Sequence, residues 1–395
     1  MRIALWWQNE SWGGVDTHAV SLINAWPAAD EFVIFHNERN PGVKRVRSIL
    51  PAGTVKMVAV PEWQYDGSSR LIRACYSLLL PFRFWRWSFR AQEVLAANGP
   101  FDALIASNGG YPGAWTAIAA LWGASRLRTA KRMLLVHHAA SAFGISRQTF
   151  ERVLDRAVQR WATDLVAVSR ATRETLIRIR HFDTERNPIR VIHNGIAAVS
   201  EPAAAPDLRG RWQVAPGEFL VGMIGRIERY KGHEDVLLAL AELPEDLRGR
   251  LRLVVVGTGH EAEISRLRAL SQRIGVADRV IFAGFVDVES RAIVRQFDLL
   301  VMATKDFEGF GLSIAEAMSV GTPVLATKVG GVTEFANDHV AVLVPPEAPE
   351  EIARALETTM RDPAASQQRA SRALEHIKMF SETDMSQRFH RLLSL

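Results

Sequence analysis

Two carboxylates eight positions apart, Glu308 and Glu316, lie in the stretch EGFGLSIAEAMSVGTPVLATKVGG, with glycines between them and a Gly-Gly pair, Gly330 and Gly331, at its end. Glu308 follows the apolar run LLVMAT, and Gly309 and Gly311 permit backbone conformations that a Cβ disfavours. A helix is expected from Leu312. The N–H groups of its first turn, from Gly311 to Ile314, are expected to lack intrahelical acceptors and to carry the positive end of the macrodipole, which makes a seat for an anion. Glu308 then belongs to a strand-end loop and Glu316 to the helix wall, so the two are expected to do different work. Alone, each has a bland role: Glu316 as a dipole-stabilising helix residue, Glu308 as a solvated loop residue.

The stretch GRIERYKGHEDVLLAL supplies complementary charge, because Arg226 and Lys231 fall just past the apolar run FLVGMI in a loop that opens a helix. Arg offers a planar fork and Lys a mobile point charge, a pairing suited to diphosphate oxygens. A solvated basic loop is the alternative. In WGGVDTHAVSL, Gly13 and Gly14 follow the first expected strand and let backbone approach a ligand at a helix start. In LVHHAAS, His137 and His138 stand at the carboxyl end of a strand, where a side chain faces a ligand; a satisfied core or rim histidine is the alternative.

These positions must be held by a scaffold, and its pattern is repetitive. Short apolar runs alternate with helical patterns, the signature of parallel βαβ units. Strands are expected at Arg2–Trp7, Glu31–His36, Thr54–Val60, Phe101–Ser107, Arg132–His137, Asp164–Ser169 and Arg190–His193 in the first half. In the second half they are expected at Phe219–Ile224, Leu251–Gly257, Arg279–Ala283, Leu299–Ala303, Pro323–Ala326 and Ala341–Val344. The 395 residues suit two domains. The Pro-, Ala- and Gly-rich stretch Ala197–Glu218 is the expected linker, giving an N-terminal Rossmann-like domain over 1–204 and a second over 205–380. Residues 381–395 read as a capped amphipathic helix with Met385, Phe389 and Leu392 on one face, able to dock on either domain. Open parallel sheets bind ligands beyond the carboxyl ends of their strands, so two facing sheets are expected to place the chemistry in a cleft.

Composition narrows the class. The chain is 48% hydrophobic and 23% charged, and no apolar run approaches the ~18 residues of a membrane span. MRIALWW is too short and too soon polar for a signal peptide, and one cysteine, Cys75, forms no internal disulfide; both suit a reducing cytoplasm. A net charge of +5 points to an anionic partner without identifying it. No groove-reading motif organises the basic residues, so nucleic acid is not expected. Between Arg70 and Gln92, however, Arg70, Arg73, Arg83, Arg86 and Arg90 interleave with Phe82, Phe84, Trp85, Trp87 and Phe89. That mixture suits an anionic membrane surface, or else an amphipathic helix covering the sheet.

Taken together these residues resemble glycosyltransferase family 4, retaining enzymes of the GT-B fold. The resemblance covers nearly the whole chain. It is most specific in the E-x7-E element with GTPVLAT and GG, then in GRIERYKGHEDVLLAL. It is less so in GGVDTHAVSL, in VSR at Val168–Arg170 and in HNGI at His193–Ile196. It implies two Rossmann-like domains facing across a cleft, the first binding acceptor and the second a nucleoside-diphosphate sugar. It implies that Glu316 binds the ribose hydroxyls, Glu308 lies by the transferred sugar, and Arg226 and Lys231 grip the diphosphate. Gly13 and Gly14 would lie near the distal phosphate and His137 would contact the donor sugar, while backbone at Phe310, Gly311, Leu312 and Ser313 would meet phosphate or sugar. A glycan or lipid-linked acceptor follows, with no cofactor. No Asp-x-Asp metal-binding pair is found, so cations and helix dipoles are expected in a metal's place. The chain departs from the family at Ala197, where an acidic residue is usual.

Two rivals remain. LVVVGTGHEAEISRL reads as a strand, G-x-G-x-x-A and a helix, a dinucleotide fingerprint; its expected acidic residue after the next strand is missing, since Asp278 precedes RVIFAG. A non-catalytic sugar-nucleotide or membrane-binding module would keep the fold and lose the chemistry, and the intact set of Arg226, Lys231, Glu308 and Glu316 argues against it.

Overall fold

The computed structural model describes residues 1–8, 13–38, 40, 42–50, 53, 55–61, 79–198 and 206–395. Cys75, the stretch from Arg70 to Leu78 and the division at residue 205 lie outside these residues. The chain forms two compact units, one of Met1–Gly195 with Glu382–Leu395, the other of Ile196–Ser381.

The first unit is built on seven parallel strands: β1 (Arg2–Trp6), β2 (Glu31–Asn37), β3 (Val55–Val60), β4 (Ala103–Asn108), β5 (Lys131–Val136), β6 (Asp164–Ala167) and β7 (Ile189–Val191). Their order is β3-β2-β1-β4-β5-β6-β7. The central strands are apolar throughout because helices cover both faces; all six residues of β4 are buried. On one face Ala4 and Trp6, Val33 and Phe35, Leu104 and Ala106, and Leu134 and Val136 share a core with the helices Leu80–Asn98, Trp115–Arg126 and Gln148–Trp161. The period of two along each strand selects that face.

Beneath the loops after β4 and β5 lies an enclosed ion cluster. Arg180 donates to Asp155 at 2.9 and 3.0 Å and to Glu151 at 2.8 Å, and the Tyr111 hydroxyl donates to Asp155 at 2.6 Å. Burial lifts the Asp155 carboxyl above its usual range, against the pull of Arg180 and Tyr111. Arg180 also donates to the Ser141 carbonyl, which ties the loop after β5 to the cluster.

The helix Glu382–Ser394 closes this unit: Ser386 Oγ donates to the Leu22 carbonyl at 3.0 Å, and Phe389 packs edge-on against His18 at 5.6 Å. Its buried face carries Met385, Phe389 and Leu393, whereas Leu392, expected there, is only half-buried. The helix presents Ser386 and Leu393 because the 3.6-residue period places them beside Phe389.

The second unit repeats the scheme with β8 (Phe219–Ile224), β9 (Leu251–Val256), β10 (Val280–Gly284), β11 (Leu299–Met302), β12 (Val324–Thr327) and β13 (Val342–Val344), in the order β10-β9-β8-β11-β12-β13. Both sheets reverse their order beside their first strand, at β1/β4 and β8/β11, the switch points at which such sheets open a crevice. All the expected strands form, with no end displaced by more than two residues.

Candidate functional site

In the second unit, β8 and β11 are neighbours, so their carboxyl-end loops lie side by side. The loop after β8 turns at Gly225, runs through Arg226 and the short turn Arg229–Lys231, and enters the helix His233–Glu242 through Gly232. Gly232 has a left-handed φ of 72°, and a Cβ there would lie 1.8 Å from the Ala303 carbonyl oxygen. Only glycine lets the two loops meet so closely.

The loop after β11 carries Glu308 and enters the helix Leu312–Ser319 through Gly311, also left-handed at φ 98°. Phe310 is buried and stacks on Phe335 at 4.6 Å, which anchors the loop from beneath. The Gly330–Gly331 pair supports it from the other side. The Gly331 N–H donates to the Glu308 carbonyl at 2.8 Å, and a Cβ on Gly330 would lie 2.2 Å from that same oxygen.

On this frame Lys231 Nζ donates to Glu308 Oε2 at 2.6 Å, and Thr304 Oγ1 donates to the same oxygen at 3.3 Å. Arg226 stands nearby in sequence but pairs with Glu228 at 2.9 Å and reaches the Tyr230 hydroxyl at 3.3 Å. Burial holds the Tyr230 phenol protonated far above its ordinary value. His233, at the helix start, is held neutral by burial and then by Lys231, with its pKa lowered to about 4. Glu316 lies one turn into the helix Leu312–Ser319, where the Ser290 hydroxyl donates to its Oε2 at 2.6 Å.

The helix start differs from the expectation in one respect. The N–H groups of Ile314 and Ala315 bond back to the Gly311 carbonyl at 3.0 and 3.1 Å. Ile314 therefore leaves the anion seat, and Leu312 and Ser313 are the first-turn residues whose N–H groups have no partner among the described residues. Within this unit the structure thus brings Lys231, Glu308, Phe310, Gly311, Leu312, Ser313 and Glu316 onto adjoining elements, with Arg226 in the loop that carries Lys231. Sequence reasoning did not find Ser290, Thr304 or the Lys231–Glu308 contact.

Gly13, Gly14 and His137 belong to the first unit. Gly13 is the extended residue before the helix Gly14–Asn24, and Asp16, fully buried, accepts its N–H at 2.6 Å. His137 follows β5 directly, its Nε2 3.1 Å from Ser107 Oγ. It is 8% exposed, not open to a ligand as its strand-end position suggests, because His18 packs edge-on against it at 4.7 Å. Burial, then the neighbouring His18, holds His137 well below the imidazole range, and burial lowers His18 to about 4. Both rings are neutral at pH 7.

The glycines of the G-x-G-x-x-A rival have another use. A Cβ on Gly257 would lie 1.8 Å from the Gly225 carbonyl oxygen, and one on Gly259 would lie 2.2 Å from that of Ile227. They let the loop after β9 pack on the loop after β8, where Ile227 N–H bonds the Thr258 carbonyl at 2.8 Å. The Ser of VSR likewise has a local role: Ser169 caps the helix Arg170–Arg180 by accepting from Thr172 N–H.

Residues 205–376 match the family profile "Glycosyl transferases group 1", and residues 12–198 match "Glycosyltransferase Family 4". The D-inositol 3-phosphate glycosyltransferase of Streptomyces avermitilis is 31% identical over 383 residues, covering 93% of this chain and 80% of that protein. The protein of the same name from Streptomyces bingchenggensis is 31% identical over 273 residues, 66% of this chain; the chain spans 59% of that relative's length. Among solved structures, Anabaena HepE in complex with UDP and glucose superposes with a TM-score of 0.78 at 22% identity, covering 100% of this chain and 99% of HepE. WaaG, a glycosyltransferase involved in lipopolysaccharide biosynthesis, gives 0.68 at 15%, covering 99% of each.

Proposed function

The chain belongs to glycosyltransferase family 4, and from that premise we propose that it moves a sugar from a nucleoside-diphosphate donor to a hydroxyl acceptor with retention at the anomeric carbon. The observation that carries this reading is the meeting of Lys231 and Glu308 at 2.6 Å, in the loop that leads to the helix bearing Glu316. As the anomeric C–O bond breaks, charge gathers on the departing diphosphate and the ring becomes cationic. Lys231, Arg226 and the N–H groups of Leu312 and Ser313 answer the first charge; Glu308 answers the second. These cations take the place that a metal holds elsewhere. Glu316 accepts from the ribose hydroxyls. The acceptor oxygen bonds to the anomeric carbon on the face the diphosphate leaves, and its proton passes to the departing phosphate oxygen.

The names of the relatives support a phosphorylated polyol, glycolipid or envelope glycan as acceptor, and a uridine donor. Incubation with UDP-, GDP- and ADP-sugars, with the released nucleotide identified by mass spectrometry, tests the reading; release of none of the three diphosphates removes it.

Work at the cytoplasmic face of a membrane belongs to the same proposal. Among the described residues no helix is long and apolar enough to cross a bilayer. The helix Leu80–Asn98 covers its sheet with Leu80, Phe84, Trp87, Ala91 and Leu95, yet leaves Phe82, Trp85 and Phe89 exposed beside Arg86 and Arg90. Aromatic rings and arginines on one exposed face suit an anionic surface, each Arg contributing about 1 kcal/mol that salt screens. Sedimentation with anionic vesicles is expected to weaken with salt and with Arg83, Arg86 and Arg90 replaced by Gln. Equal sedimentation with neutral vesicles overturns it.

A further inference from the structure

Lys231–Glu308 is one of two ion pairs that join the same two loops in opposite senses. The β8 side contributes Lys231 and Asp235, and the β11 side contributes Lys305 and Glu308. Lys305 Nζ lies 2.7 Å from Asp235 Oδ1, and the Lys305 N–H donates to the Tyr230 carbonyl at 2.7 Å. Each side, loop and following helix together, thus offers one cation and one carboxylate, and each meets its opposite across the gap. A slip of one loop along the other would lose both attractions and bring like charges closer, so the crossed arrangement fixes register.

The two pairs differ in what a ligand can do to them. Lys231 and Glu308 are partly open, at 15% and 14% side-chain exposure; Lys305 is as open at 20%, but its Asp235 carboxylate is at 6% and sits in the first turn of the helix His233–Glu242. A diphosphate that draws Lys231 toward itself dissolves the first tie between the loops. The second tie remains, because drawing Lys305 away would leave the enclosed Asp235 carboxylate without its counter-charge.

We propose that Asp235 and Lys305 are positioning residues, whose ion pair keeps the Glu308 loop in register with the Lys231 loop while Lys231 changes partner between Glu308 and a diphosphate. The inference rests on the donor reading above for its purpose, though not for its geometry. It assigns Asp235 and Lys305 no contact with substrate; they act through Lys231 and Glu308.

Two measurements test it, and Asp235→Asn is the main variant, since it leaves only the partly exposed Lys305 unpaired. In the first, urea unfolding of Lys231→Met, Glu308→Gln and the double variant gives the coupling between those residues. A coupling of about tenfold in the unfolding constant is expected in the otherwise native protein, falling to within about twofold in the Asp235→Asn background. Full retention of the coupling in that background overturns the proposal.

The second measurement is sugar transfer. Asp235→Asn and Lys305→Met are each expected to lower kcat by about tenfold with donor KM within about twofold, the double variant no lower than the worse single, and Lys305→Arg restored to near the native rate. Unchanged kcat in the singles, or losses that multiply in the double, overturn it. If the native protein binds no UDP, GDP or ADP, the donor reading falls, and the unfolding cycle still decides whether Asp235 and Lys305 set the register.

Discussion

Two ion clusters lie at the loop ends of the two sheets, one in each unit, and they are built for opposite ends. In the first unit Arg180 is wholly enclosed, bonded to two carboxylates, and capped by Tyr111 and the face of Phe143 at 4.1 Å. In the second, Lys231 meets Glu308 through a single contact, and both remain partly open. A saturated cluster has nothing left to give a ligand and serves the fold. An unsaturated pair can exchange partners, which is what a leaving diphosphate requires. Shared topology does not distinguish the two sheets; the openness of their charges does.

The contrast breaks first at Arg180. Arg180→Ala leaves Asp155 buried without its counter-charge and Glu151 with Arg147 alone at 3.3 Å, so unfolding free energy is expected to fall by about 3 to 5 kcal/mol, read by urea denaturation. A loss near 1 kcal/mol would make the two clusters alike. Lys231→Ala is expected to show the reverse: about 2 to 4 kcal/mol added to the barrier of sugar transfer, or roughly 30- to 1,000-fold in kcat, against about 1 kcal/mol of stability. An unchanged turnover rate in the folded variant would strip Lys231 of its role.

Acid sharpens the view of the first unit. The folded His18 imidazole is lowered from 6.5 to about 4, so between those values the unfolded chain binds the proton that the folded one refuses. Its contribution is fully present above about pH 6.5 and is lost as pH falls toward 4, by roughly 2 to 3 kcal/mol. Stability measured across that window should fall less steeply in His18→Phe, and an identical slope would contradict it. His233, lowered likewise in the second unit, adds to the same native fall.

Within the second unit the two carboxylates should separate. Glu308→Gln is expected to lower kcat about 30-fold with nucleoside-diphosphate affinity retained, and Glu316→Gln to raise donor KM about tenfold with kcat retained. The opposite pattern in full kinetics and calorimetry would reverse their roles. As a baseline, the exposed pair of Arg388 with Asp384 belongs to neither cluster, and Arg388→Gln should change stability by no more than about 0.5 kcal/mol.

The sheets were legible because parallel strands covered on both faces are continuous short apolar runs, and the glycines and charges at their ends are local in sequence. The Glu308 loop and the Glu316 helix were legible for the same reason. Lys231–Glu308 was not, because its partners are 77 positions apart and no local pattern encodes their meeting. Ser290 was equally hidden, reaching Glu316 from a different helix 26 positions away. The glycines at 257 and 259 misled for a related reason: a close approach of backbone to backbone uses the same residue as a close approach to a pyrophosphate, and only the neighbour distinguishes them. Phe82, Trp85 and Phe89 show the limit of composition, since the helix Leu80–Asn98 both covers its sheet and leaves those rings exposed, so the two readings of that stretch do not exclude each other.

The closing helix Glu382–Ser394 has a consequence in time. The first unit needs it, yet the whole of the second unit is translated between Gly195 and Glu382. At about 5 to 20 residues per second, a ribosome takes roughly 10 to 40 seconds to cross that interval. Throughout it, the surface around His18 and Leu22 that Phe389 and Ser386 later cover faces solvent. The second unit, whose ends meet where the Ile196 N–H bonds the Phe380 carbonyl at 2.8 Å, has all its strands before the first can close. The half that begins first is therefore finished last, and its nascent form is the one a chaperone would hold.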